Sequence, residues 1–147
     1  MVYPDERVRQ FVAEHFVPVK IHVKERPQDM QRFGIHWTPT LLVCESDGTE
    51  RRRIEGFLPV PDLLAQLQLG LAASAFAAGR YDEAQRAFEA VVTNYPEAGA
   101  AAESVYWAGV SNYKITHNRE ILQRTGARLR DHYHGSDWAK KGSVWVS

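Results

Sequence analysis

Hydrophobic and polar positions change period several times along the chain. Val8, Phe11, Val12, His15 and Phe16 recur at i, i+3, i+4, i+7 and i+8, the stripe of an amphipathic helix with Asp5 as its cap. Pro18 ends that helix, and Val17, Val19, Ile21 and Val23 then alternate with Pro18, Lys20, His22 and Lys24. This is the period of a half-buried strand over Val17–Val23. Arg26-Pro27-Gln28-Asp29 starts a short helix with Met30 and Phe33 as its apolar contacts and Gly34 as its stop. Leu41-Leu42-Val43-Cys44 has no polar alternation, which predicts a strand buried on both faces of an α/β layer. Asp47-Gly48 predicts a hairpin turn, followed by a charged strand from Thr49 to Phe57. Pro59-Val60-Pro61-Asp62 breaks the sheet, and one helix is expected from Leu63 to about Ala78.

Beyond Leu71 the strand period disappears and alanine dominates. Gly79-Arg80-Tyr81-Asp82-Glu83-Ala84 is a tight turn opening a helix whose stripe is Tyr81, Ala84, Ala87, Phe88, Val91, Val92 and Tyr95, with Pro96 after it. A poorer copy follows: Ser104-Val105-Tyr106-Trp107-Ala108-Gly109 with Tyr113 in one helix, and Glu120 to Tyr133 in the next. The tail from Asp137 reads as a capping helix.

The Gly-x-Tyr-x-x-Ala turn, Phe88 four residues later and Pro96 eight further on resemble a tetratricopeptide repeat. In the second copy Thr116-His117-Asn118-Arg119 departs from that pattern. The earlier part resembles the C-terminal half of the thioredoxin fold over Asp5 to Leu71. Its marker is Gly34-Ile35-His36-Trp37-Thr38-Pro39-Thr40 running into the apolar strand. The resemblance implies a cis Thr38–Pro39 peptide lying beside a Cys-x-x-Cys pair, where it presents backbone to a substrate. The fold class expected is α/β followed by all-α: a truncated thioredoxin-like domain at 1–71, then a tetratricopeptide-like helical array at 72–147.

Composition narrows the function. The 147 residues have 18 basic and 18 acidic side chains, so nothing suggests a nucleic acid partner. No apolar stretch approaches the length needed to span a bilayer, so no membrane segment is expected, and the start, Met1-Val2-Tyr3-Pro4-Asp5-Glu6-Arg7, lacks the basic and apolar regions of a signal peptide. A cytoplasmic location is the reading that follows. The single cysteine, Cys44, rules out an internal disulfide or a cysteine-based zinc site. Its place in the apolar run favours a small core hydrophobe over a reactive thiol. His132 and His134 are two apart and point to different sides of a helix, so no metal or other cofactor is expected. Arg51-Arg52-Arg53 reads as a solvated edge strand rather than a phosphate site.

Trp37, Thr38, Pro39, Tyr106, Trp107 and Tyr113 are the candidate peptide-binding residues. Tyr106, Trp107, Tyr113 and Trp138 have a competing reading as buried helix hydrophobes. In the thioredoxin family the dithiol precedes the helix that matches Asp5–Phe16, and Tyr3-Pro4-Asp5 looks like the continuation of that redox helix. As it stands the chain lacks the attacking and resolving thiols of disulfide exchange. Three readings follow: a redox-inactive protein-binding scaffold, a fragment of a thiol-disulfide oxidoreductase whose Cys-x-x-Cys lies before Met1, or a structural assembly subunit. The strand that the family places between Val17–Val23 and Leu41–Cys44 is also missing, so a homodimer through an exposed strand edge is expected.

Overall fold

The computed structural model describes residues 5–147, so the reading of Tyr3-Pro4 lies outside the described residues. Helix α1 (Glu6–His15) starts where Asp5 accepts the Arg7 N–H at 2.8 Å. It buries Val8, with Phe11, Val12 and Phe16 half-buried beside it. His15 leaves the apolar face: it is exposed, and its ring stacks on Phe11 at 4.3 Å. Helix α2 (Pro27–Arg32) forms as expected from Pro27. Its buried residue is Asp29, paired with Arg26 at 2.7 Å, while Met30 and Phe33 remain half-buried.

The strand expected at Val17–Val23 does not form. Residues 16–22 run without helix, turn or bend, and no strand lies alongside among the described residues. A strand exists only through hydrogen bonds to a neighbour, and its apolar alternation cannot supply them. Among the described residues the sheet is therefore a single antiparallel pair, β1 (Thr40–Cys44) and β2 (Glu50–Glu55). The two are joined through the Asp47-Gly48 turn, where Asp47 accepts the Thr49 N–H at 2.9 Å and Gly48 has φ 90°. Burial of β1 on both faces is also corrected: Val43 is buried, but the next side chain alternates outward and leaves Cys44 exposed.

Helix α3 (Val60–Ala77) is the spine. Its first half packs Leu63, Leu64 and Leu67 against Val8, Val43 and Ile54. Gly70 lets Val43 approach so closely that a Cβ there would sit 3.0 Å from the valine. Its second half joins Leu69, Ala72 and Ala75 to Ala84, Phe88 and Val91 of α4 (Tyr81–Asn94) and to Ala100 and Ala108 of α5 (Ala100–Thr116). At 18 residues and mean hydropathy 1.2, α3 has the length and composition of a membrane span, which corrects the sequence reading. Its apolar character is accounted for by packing on two cores along its length.

Gly79, at φ 77°, ends α3 in the left-handed conformation, and the Arg80 N–H reaches back to the Ala75 carbonyl at 3.0 Å. In the second helix pair, His117 at φ 55° takes the same role between α5 and α6 (Arg119–His132). Asn118 then caps α6 by accepting the Glu120 N–H at 3.0 Å. The tail forms α7 (Asp137–Gly142) and a 3-10 turn over Ser143–Trp145. Gly142 and Gly126 allow α7 to pack tightly on α6.

Candidate functional site

The segment before β1 has a defined geometry. The Thr38–Pro39 peptide is cis, as the resemblance implies. The Thr40 hydroxyl donates to the Trp37 carbonyl at 2.6 Å, and the Gly56 N–H donates to the Pro39 carbonyl at 2.7 Å, tying this loop to the far end of β2. Thr38 is exposed, Pro39 is half-buried, and Trp37 is 65% exposed.

The thiol lies at the opposite end of β1. Burial first, and then the Glu50 carboxylate, push the Cys44 thiol above its ordinary pKa, with Arg53 opposing. A raised pKa leaves little thiolate at neutral pH. Alkylation by iodoacetamide at pH 7 is thus expected to run slower than for a free small thiol and to accelerate as pH rises. Glu50→Gln should speed it at fixed pH; an unchanged rate in that variant would contradict this electrostatic account.

The arginines of β2 are not the solvated edge that the sequence suggests. Arg51 donates to Glu45 at 3.0 Å. Arg53 reaches the Phe33 and Gly34 carbonyls at 2.5 and 2.9 Å and also pairs with Glu50. Arg52 donates to Gln66 at 2.6 Å and grips Glu103 with both terminal nitrogens at 3.0 and 2.9 Å. The run fastens β2 to its surroundings because each guanidinium meets an acceptor across a different gap.

The helix residues form a second constellation. Rings from Tyr81, Phe76, Trp107 and Trp138 follow one another, with centroids 5.2, 5.3 and 6.2 Å apart. They come from α4, α3, α5 and α7 in turn. Tyr106 is held among Trp107, Trp138 and Trp145, stacked on Trp145 at 4.8 Å, so its ring face is occupied by the chain's own tail. Tyr113 sits apart, against His117 at 6.0 Å. Lys141 lies over Trp138 at 3.9 Å, and Lys114 over Tyr81 at 6.0 Å.

The ring O–H and N–H groups of Tyr81, Tyr106, Trp107, Tyr113, Trp138 and Trp145 have no hydrogen-bond partner among the described residues. None of these atoms is buried, so the half-buried rings turn their polar edges to solvent. Sequence reasoning named Tyr106, Trp107, Tyr113 and Trp138 but missed Phe76, Tyr81 and Trp145, because only the packing of four elements aligns them. No ring contact or hydrogen bond joins Trp37–Pro39 to the helix set among the described residues.

His132 and His134 are both exposed, and no group of three or more His, Cys, Asp or Glu converges as a metal site among the described residues. Two shallow cavities of about 270 and 350 Å³ lie over α4–α6 on either side of Arg128, which spans to Glu89 at 2.8 Å. None of the sequence-derived candidates Trp37, Thr38, Pro39, Tyr106, Trp107 and Tyr113 lines them.

No curated protein and no solved structure matches the chain. A family model does: residues 2–70 match the thioredoxin-like domain, and the match ends inside α3, so this part of the chain carries a thioredoxin-like domain and α4 to α7 lie outside it.

Proposed function

We propose that the chain is a redox-inactive interaction module, a thioredoxin-like domain joined to tetratricopeptide-like helices that dock a protein segment. The observation that carries this reading is the aromatic row on α3, α4, α5 and α7 with its solvent-facing donors. Flat rings offer large contact area at low entropy cost, and unpaired indole and phenol donors suit the backbone carbonyls of an extended segment. Lys114 and Lys141 flank the row and favour acidic residues in the ligand. An extended, proline-rich segment with acidic flanks is the partner of that chemistry. Trp37, beside the Thr38–Pro39 loop, is a separate exposed contact for the same or another partner.

Tryptophan fluorescence titration with proline-rich peptides, with and without acidic flanks, tests the reading. A saturable change is expected, stronger for the acidic peptides and weakened in Lys114→Glu/Lys141→Glu. No saturable change, or equal binding by the charge-reversed variant, overturns it. A second reading, a fragment of a thioredoxin-family oxidoreductase, draws on the family match and on the placement of Trp37–Pro39 ahead of β1. It requires a Cys-x-x-Cys encoded upstream, and the genomic sequence before Met1 decides it.

A further inference from the structure

The outer edge of β1 and the segment Val17–Ile21 share an unmet requirement. In an antiparallel pair every second residue turns its N–H and C=O away from the partner. β1 has β2 on one side, and no strand on the other among the described residues. The backbone of Val17–Ile21 makes no backbone hydrogen bond among the described residues, although the segment is free of turns. Its alternation is that of a strand, yet Val17 is 90% and Val19 75% exposed.

We infer that two copies of the chain associate by pairing Val17–Ile21 of one with the outer edge of β1 of the other. The segment is long enough to cover the five residues of β1, and β1 from Thr40 to Cys44 carries no charge to repel Lys20 or Lys24. Pairing satisfies the backbone groups of both strands and lays the apolar face of the segment beside Leu41 or Leu42, according to strand direction, each only half-buried in the single chain.

Pro18 sets which side of the segment pairs. Along a strand, successive residues direct their N–H and C=O to opposite edges. The missing N–H of Pro18 spoils the edge shared with Lys20 and His22, leaving Val17, Val19 and Ile21 to face β1. The inference is independent of the aromatic row, which lies on the helices, so either can fail without the other.

Light scattering coupled to size exclusion at tens of micromolar is the test. The unaltered chain is expected at twice its mass, Val19→Pro at the single-chain mass, and Lys20→Pro still at twice the mass. Neither proline removes a backbone hydrogen bond among the described residues. Circular dichroism matching the unaltered chain confirms that the variants are folded. Cys44, exposed at the end of β1, supplies a second readout. Mild oxidation should link copies through Cys44 in Val17→Cys or Ile21→Cys, according to strand direction, and substituting Cys44→Ser in that variant should remove the link. A single-chain mass for the unaltered protein overturns the inference. So does association that survives Val19→Pro or is lost equally in both proline variants.

Discussion

Arg52→Ala is expected to lower the unfolding free energy by about 2–3 kcal/mol, read by urea denaturation. Its guanidinium joins β2 to Gln66 on α3 and to Glu103 on α5, and the Arg52 and Glu103 side chains are only 24% and 14% exposed. Water cannot fully replace the lost partner there, so Glu103 is left with an uncompensated charge. The geometry is bidentate, unlike the exposed i,i+3 and i,i+4 pairs elsewhere in the chain, which contribute little. For a chain of this length the loss corresponds to a fall in melting temperature of roughly 5–10 °C. Glu103→Ala should cost a similar amount. The apolar double variant Arg52→Met/Glu103→Leu should cost less than the two single changes together, because it removes both charges at once. Single variants within about 0.5 kcal/mol of the parent would show that the pair does not fasten the two parts.

Gly109→Ala should be the more damaging of the small changes. A Cβ at that place would lie 2.1 Å from the Thr125 hydroxyl oxygen, 2.5 Å from its methyl and 2.7 Å from its Cβ. Thr125 is itself buried, with its hydroxyl bonded to the Ile121 carbonyl at 2.7 Å, so it cannot swing clear. The helices must separate, at a cost of about 1–3 kcal/mol or more. Trimming Thr125 to alanine would leave its Cβ in the way. Only Gly109→Ala/Thr125→Gly makes room, and it should recover part of the loss, less about 1 kcal/mol for a glycine inside α6. Urea denaturation followed by circular dichroism decides it. An unchanged midpoint for the single variant would mean that α5 and α6 are not packed as closely as described.

Much of the local structure could be read from the residues. The Asp5 cap, the Asp47-Gly48 hairpin, Gly79 ending α3 and the run of α3 through Leu71 and Ala72 all rest on nearest-neighbour chemistry. Caps, positive-φ glycines and apolar periods are short-range, so they survive without knowledge of the fold. The Gly34 to Thr40 motif lies inside residues 2–70, the stretch that matches a thioredoxin-like domain.

The misreadings share one cause. Val17–Val23 has the period of a strand, but pairing is a property of two segments, and no neighbour is present among the described residues. Cys44 sits in an apolar run, but alternation beyond Val43 turns it outward. Arg51-Arg52-Arg53 looks like solvated charge until Glu45, Gln66, Glu103 and the Phe33 and Gly34 carbonyls are brought to it from elsewhere in the chain. The aromatic row exists only because Phe76, Tyr81, Trp107 and Trp138 converge from four helices. Sequence by itself determined where the backbone turns, caps and stops, since those choices depend on adjacent residues; tertiary structure alone decided which groups meet, because contact across long separations depends on how the helices and the strand pair stack.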